Sequence, residues 1–145
     1  MMLIKVLVVG KMKDRAFRER CEEYWKWLTQ YAKREVKELP DSTKEKENAA
    51  ILRELEKERG WVCALSEDGK EYTSRQLAAK LGAIDRKIVL VIGGPYGLTP
   101  EVKARAEEVW ALSKLTFTHE MARLLLSEQL FRAATILNGG SYHND

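Results

Sequence analysis

The sequence predicts an α/β protein, a mainly parallel central sheet with helices flanking it. Three observations carry that expectation. The run Ile88–Ile92 is apolar and rich in β-branched residues without alternation, as a strand covered on both faces is, and Leu3–Val9, apolar but for Lys5, reads as another strand. Between such runs lie segments whose apolar residues recur every three or four positions, the period of an amphipathic helix. The two kinds of segment alternate along the chain, the order that builds a layered sheet from βαβ units.

The first strand, Leu3 to Val9, stops at Gly10. A helix follows from Asp14 to Lys33, with Phe17, Cys21, Tyr24, Trp25 and Leu28 on one face. "EVKELP" is a short strand closed by Pro40, which has no N–H to offer a ladder. Asp41, Ser42 and Thr43 can cap the next helix, about Lys44 to Arg59, which buries Ala50, Ile51 and Leu55 and ends at Gly60. "WVCAL" is a third strand, running into the polar loop "SEDGKEY". Thr73 and Ser74 cap a helix with Leu77, Ala78 and Leu81 inside. The strand "IVLVI" leads to the bend "GGPYGLTP" and a helix from Thr99 to about Val109, with Thr99 as cap, Pro100 as first helical residue and Glu101 in the first turn. "WALSKLTF" is a strand interrupted by a polar turn, His119 to Leu137 a long apolar helix, and "NGGSYHND" a terminal tail.

At 145 residues the chain is most simply one domain, long enough for a sizeable core. A net charge of +3 permits an anionic partner without requiring one. Cys21 and Cys63 have no metal-ligand spacing and read as buried thiols of a reducing compartment, and no metal site is expected. The opening "MMLIKVLVVGKMK" is too short for a membrane span and has no cleavage-site pattern, so a cytoplasmic location and no membrane partner are expected. "KMKDRAFRER" holds five basic residues against two acidic ones, either a phosphate-contacting patch or a plain exposed helix start.

The bend after the fourth strand is the main chemical signal. Gly93, Gly94 and Gly97 admit positive φ and close backbone approach, and in open α/β sheets ligands sit at such carboxyl ends of strands. It is not a Walker loop, since no Lys-Ser/Thr follows, and it is not GxGxxG after the first strand. Leu65 before "SEDGK" and the irregular stretch "LSKLTF" supply two more strand-end loops, and three such loops can enclose a flat heterocycle. Glu128 and Arg132 lie four apart and share a helix face; Tyr142 and His143 follow the glycine pair Gly139–Gly140, which would leave the tail free to move.

Together, "VLVIGGPYGLTPEV", "WALSKLTFTHEMARLLLSEQLFRA" and a chain end at "YH" resemble the large-subunit ribosomal RNA pseudouridine N3-methyltransferase family of the SPOUT class. The resemblance extends to "VVGKMKD" and "ALSEDGK" and is weakest between Arg15 and Arg59. It implies a single SPOUT methyltransferase domain over residues 1–145, with a trefoil-knotted α/β fold that base rates alone would never suggest. It further implies a homodimer, S-adenosylmethionine as methyl donor, and a pseudouridine in a stem-loop of 23S ribosomal RNA, on assembled ribosomes, as substrate. By position, the donor site is Leu65, Gly93, Gly94, Gly97, Ser113, Lys114, Leu115, Thr116, Phe117 and Thr118, with Gly94 leaving room for the adenosine.

The implied chemistry needs an imide nitrogen aligned with the methyl group, and its proton removed. His143 and Tyr142 are expected at the base or its proton, reaching across the dimer; Arg132 would hold phosphate or the anionic base, and Glu128 would orient Arg132. His119 could simply cap the last helix. Two alternatives share the fold: a non-catalytic RNA-binding or ribosome-assembly factor, and a transfer-RNA methyltransferase, which usually carries an added RNA-binding domain.

Overall fold

The protein is described by a computed structural model covering residues 1–145. Its elements follow in the order β1 (Met2–Val9), α1 (Arg15–Leu28), β2 (Ala32–Leu39), α2 (Lys44–Glu56), β3 (Trp61–Lys70), α3 (Ser74–Ala83), β4 (Ile88–Ile92), α4 (Pro100–Arg105), β5 (Glu108–Trp110) and α5 (His119–Leu137). All strand pairings are parallel, in the order β2-β1-β4-β3-β5.

The non-alternating strands are explained by two cores, one on each face. Ile4, Val6 and Val8 of β1 and Ile88, Leu90 and Ile92 of β4 point into a cluster shared with Trp25 and Leu28 of α1, Leu77 and Leu81 of α3, and Leu126 and Leu130 of α5. Leu7, Val9, Val89 and Val91 point the other way, onto Ile51 and Leu55 of α2 and Val102 of α4. Every side chain of β4 is buried, so burial rather than alternation set its sequence. The expected α/β sheet with flanking helices is the fold observed, and all of its strands run parallel.

Several boundaries differ from the sequence expectation, and in three places strand pairing is the reason. The first helix ends at Leu28 rather than Lys33, since Ala32, Lys33 and Arg34 pair with Met2, Leu3 and Ile4. The helix at Thr99 is short and stops at Arg105, because Glu108 and Val109 pair with Cys63 and Ala64. The "SEDGK" stretch is not a free loop: Leu65 and Lys70 both pair with Trp110, so β3 bulges out over residues 66–69 and returns to β5. Of "WALSKLTF", only Trp110 lies in a strand.

Thr43 and Thr73 cap their helices as the sequence suggests, while Asp14 caps α1 rather than opening it and Thr118, not His119, caps α5. Each of the four accepts a backbone N–H of the first turn, and Gln76 completes a capping box with Thr73. Thr99 occupies the expected cap position of α4 without a side-chain bond of its own. Cys21 and Cys63 are free and buried, and burial raises both thiols above their ordinary value.

Candidate active site

The carboxyl ends of β3 and β4 and the irregular segment after β5 meet around one cavity of about 800 Å³, within the range of sites for nucleotide-sized ligands. Its walls include Leu65, Ser66 and Glu67 from the β3 bulge, residues 92–98 from the glycine bend, and Leu112, Ser113 and residues 115–119 from the last connection. Of the ten sequence-derived donor residues, nine line it. Lys114 does not: its side chain is 86% exposed and its Nζ lies 3.9 Å from Glu71. His119 lines the cavity as the first residue of α5, while Thr118 does the capping.

The three glycines divide their work differently from the expectation. A Cβ on Gly94 would point away from the cavity's ligand space, 2.7 Å from Glu47 Oε1 and 3.1 Å from Val9 Cγ1. One on Gly93 would meet Leu98 at 2.9 Å and the Gly97 backbone at 3.1 Å. Both positions therefore need glycine so that the bend can fold onto its own supports. Only Gly97 needs it for conformation, with φ at +79° and nothing within 4 Å of a Cβ. Gly97 N–H closes the turn on Gly94 O at 3.0 Å.

The sequence missed part of the wall. Asp14 and Phe17 from the start of α1 and Glu120 from α5 also face the cavity. Glu120 Oε1 accepts the backbone N–H groups of Lys13 and Asp14 at 2.9 and 3.0 Å, tying the β1–α1 connection to the head of α5. The stretch "VVGKMKD" contains the donors, but the acceptor lies more than a hundred positions on.

Glu128, Arg132, Tyr142 and His143 form a second constellation, separate from that wall. Arg132 Nη2 donates to Glu128 Oε2 at 2.7 Å and Nε to Oε1 at 3.3 Å; Tyr142 Oη donates to Glu128 Oε2 at 2.7 Å. Arg132 Nη1 lies 3.0 Å from His143 Nδ1, and His143 Nε2 lies 3.2 Å from Asp145. The Tyr142 ring packs edge-on against Phe131, and the Arg132 guanidinium sits over it at 4.9 Å. Burial, then the hydrogen bond to Glu128, raises the Tyr142 hydroxyl well above its ordinary value, so at neutral pH it is a donor and not a base. The hydrogen bonds that Arg132 donates to Glu128 likewise hold it firmly cationic.

The tail is docked rather than free. Gly139, at φ +73°, and Gly140 close α5: Gly140 N–H reaches Thr135 O at 2.8 Å and Gly139 N–H reaches Ile136 O at 3.4 Å. The glycine pair is thus a helix stop that turns the chain back along α5. Asp145 is held by Arg75 of α3 at 2.6 and 2.7 Å, which leaves Tyr142 and His143 half-buried.

A parallel α/β sheet whose strand-end loops surround a nucleotide-sized cavity, with a polar cluster on its last helix and tail, defines an α/β ligand-binding protein. Residues 2–143 match the family model described as "Predicted SPOUT methyltransferase", and the chain belongs to that family. A protein of Synechococcus sp. (strain RCC307) named ribosomal RNA large subunit methyltransferase H is 45% identical over 141 residues, 97% of this chain and 93% of its own length. One of the same name from Prochlorococcus marinus (strain NATL1A) is 43% identical over 142 residues, 97% of this chain and 95% of its own. Among solved structures, a probable methylase family protein from Haemophilus influenzae Rd KW20 superposes with a TM-score of 0.60 at 16% identity, over 98% of this chain and 70% of that one, a likeness of fold.

Proposed function

We propose that this protein is an S-adenosylmethionine-dependent methyltransferase acting on large-subunit ribosomal RNA, at N3 of a pseudouridine in a 23S stem-loop of the assembled ribosome. Full-length similarity to relatives named for large-subunit ribosomal RNA methylation supports the substrate class. The single observation that carries the chemistry is the cavity of about 800 Å³ enclosed by the loops at Leu65, Gly93–Leu98 and Ser113–Thr118, with glycine wherever the bend must fold on itself.

The donor, when bound, supplies a methyl group already activated on a sulfonium. What remains for the protein is to hold both reactants in line, exclude water and take the imide proton. Leu65, Gly93, Gly94, Gly97, Ser113 and Leu115–Thr118 form the donor wall. Arg132, fixed as a cation, stabilises the anionic base. Tyr142 keeps its proton, so it orients by donation, and His143 is the group left to accept one. Glu128 engages both Arg132 and Tyr142 and sets their geometry.

These four groups do not line the cavity of their own subunit, so the reading includes a homodimer in which one copy's cluster completes its partner's cavity. Met121, Leu124 and Leu125 are half-buried along α5 in a single chain and provide the apolar surface for such contact. The reading also carries the trefoil knot of the SPOUT class and a site of action on cytoplasmic ribosomes. No helix is long and apolar enough to cross a membrane.

The test is methylation of purified ribosomes by the purified protein with labelled donor, followed by mass mapping of the 23S RNA. A new methyl on one pseudouridine is expected, and no transfer to ribosomes overturns the reading. Mixing a tail-deleted variant with a donor-site variant examines the composite site: mixed dimers regain activity that neither parent has. A mixture as inactive as its parents rejects the shared site.

A further inference from the structure

Helix α2 contributes nothing to the cavity wall, yet it carries two adjacent polar residues, Glu47 and Asn48, each only 2% exposed. Burying two polar side chains side by side is costly unless their partners matter. Asn48 Oδ1 accepts the Thr99 N–H at 2.9 Å, while its Nδ2 donates to Gly97 O at 3.2 Å and to Lys44 O at 2.8 Å. It therefore grips the glycine bend by two of its own backbone groups, from 49 and 51 positions away in sequence. Its neighbour Glu47 accepts the Ser42 N–H at 2.9 Å and keeps its other oxygen, without a partner, beneath Gly94.

We infer that Asn48 is a positioning residue for the donor: it holds residues 93–99 in the one shape that leaves the cavity open, and so sets donor affinity without touching the ligand. The inference rests on the proposed methyltransferase reading. Its physical basis is preorganisation. Gly93, Gly94 and Gly97 make the bend intrinsically soft, since glycine has the most backbone freedom to lose. Something outside the bend must then select its conformation. The bend's internal tie, Gly97 N–H to Gly94 O, closes one turn only and does not fix the turn relative to β4 or α4. Asn48 ties the turn to α4 and to α2, because Gly97 belongs to the bend, Thr99 is the cap position of α4 and Asn48 itself sits on α2. Without the latch the competent shape becomes a minor population, and apparent affinity falls by that fraction.

The experiment compares donor binding by calorimetry and steady-state ribosome methylation for the wild type, Asn48→Ala and Asn48→Asp. Aspartate keeps the acceptor for Thr99 N–H and loses both donors. A buried hydrogen bond left unmade corresponds to roughly ten- to a hundredfold in such an equilibrium. Donor Kd and donor KM are expected to rise by that order in Asn48→Ala and by at least as much in Asn48→Asp, whose buried carboxylate oxygen faces the Lys44 and Gly97 carbonyl oxygens. The kcat at saturating donor stays within about threefold, because bound donor restores the bend. A second variant approaches from the other partner: Thr99→Pro removes the N–H that Asn48 accepts, at a φ of −78° that proline adopts. It gives the same donor-specific loss if Asn48→Ala does not fold. A lowered Tm with unchanged donor Kd in the folded variants makes Asn48 merely structural and overturns the inference. Wild-type protein that binds no donor overturns the methyltransferase reading instead.

Discussion

Glu128 and Arg132 are paired through both carboxylate oxygens across one turn of α5, and Tyr142 closes on the same Oε2 at the same 2.7 Å as the guanidinium. An exposed pair at this spacing would be worth little, but here the side chains are only 17% and 24% exposed. Replacing Glu128 by Gln removes the charge that aligns two donors at once. Single-turnover methylation of ribosomes is expected to fall about ten- to a hundredfold, with donor Kd unchanged. Arg132→Lys keeps the charge but loses the fork and should fall comparably. Wild-type rates in both variants would make the pair a surface brace.

The docked tail makes a sharper case. Deleting Tyr142 to Asp145 removes the hydrogen bond to Glu128 and the ion pair to Arg75, both at the edge of the fold. The chain should still fold and bind donor. Methyl transfer should drop by roughly a hundred- to ten-thousandfold, the usual contribution of an acid–base group, with His143→Ala accounting for most of it. Rates near wild type in both would send the proton to solvent or to Glu128.

Substitutions in the bend should separate by mechanism. Gly94→Leu forces a side chain against Glu47 and Val9, so it should lower stability by about 1–3 kcal/mol and depress Tm by several degrees. At Gly97 the space is open and only φ objects, so Asn should be tolerated far better than Val. Thermal melts of the three variants decide it. Equal melting temperatures for Gly97→Asn and Gly97→Val would exclude the conformational argument.

Acid should release a network at the β3–β5 edge. Burial pushes the Glu108 carboxyl up, but Lys80, the Tyr72 hydroxyl and the Trp110 indole outweigh it and hold it at about 2, against an ordinary 4.5. A depressed carboxyl stabilises the fold above its unfolded value, and that contribution is lost as pH falls from 4.5 towards 2. With the side chain 26% exposed, roughly 1–2 kcal/mol is expected. Tyr72, pushed up to about 12 by burial and by Glu108, should lose its share as pH rises from 10 to 12. Denaturant titrations of Glu108→Gln across pH 2 to 5 should show a flatter dependence than the wild type; equal slopes would remove Glu108 as the cause.

The sequence by itself determined the layered α/β class, because burial on both faces leaves its mark in runs such as "IVLVI". It also determined the caps at Thr43 and Thr73, since capping is a bond between residues three positions apart. The short motifs around Gly93–Gly97 and Ser113–Thr118 marked two walls of the cavity for the same reason: each is a local backbone requirement written in local residues. Only the tertiary structure decided what those walls rest on. Asn48 reaches Gly97 and Thr99, Glu120 reaches Lys13 and Asp14, and Glu47 rather than ligand space lies under Gly94. These are contacts between elements that the parallel crossovers lay side by side on one face or the other of the sheet, and no periodicity along the chain encodes them. The same holds for where strands overrule helices, at Ala32–Arg34 and Glu108–Val109, because pairing with a distant partner outweighs local propensity.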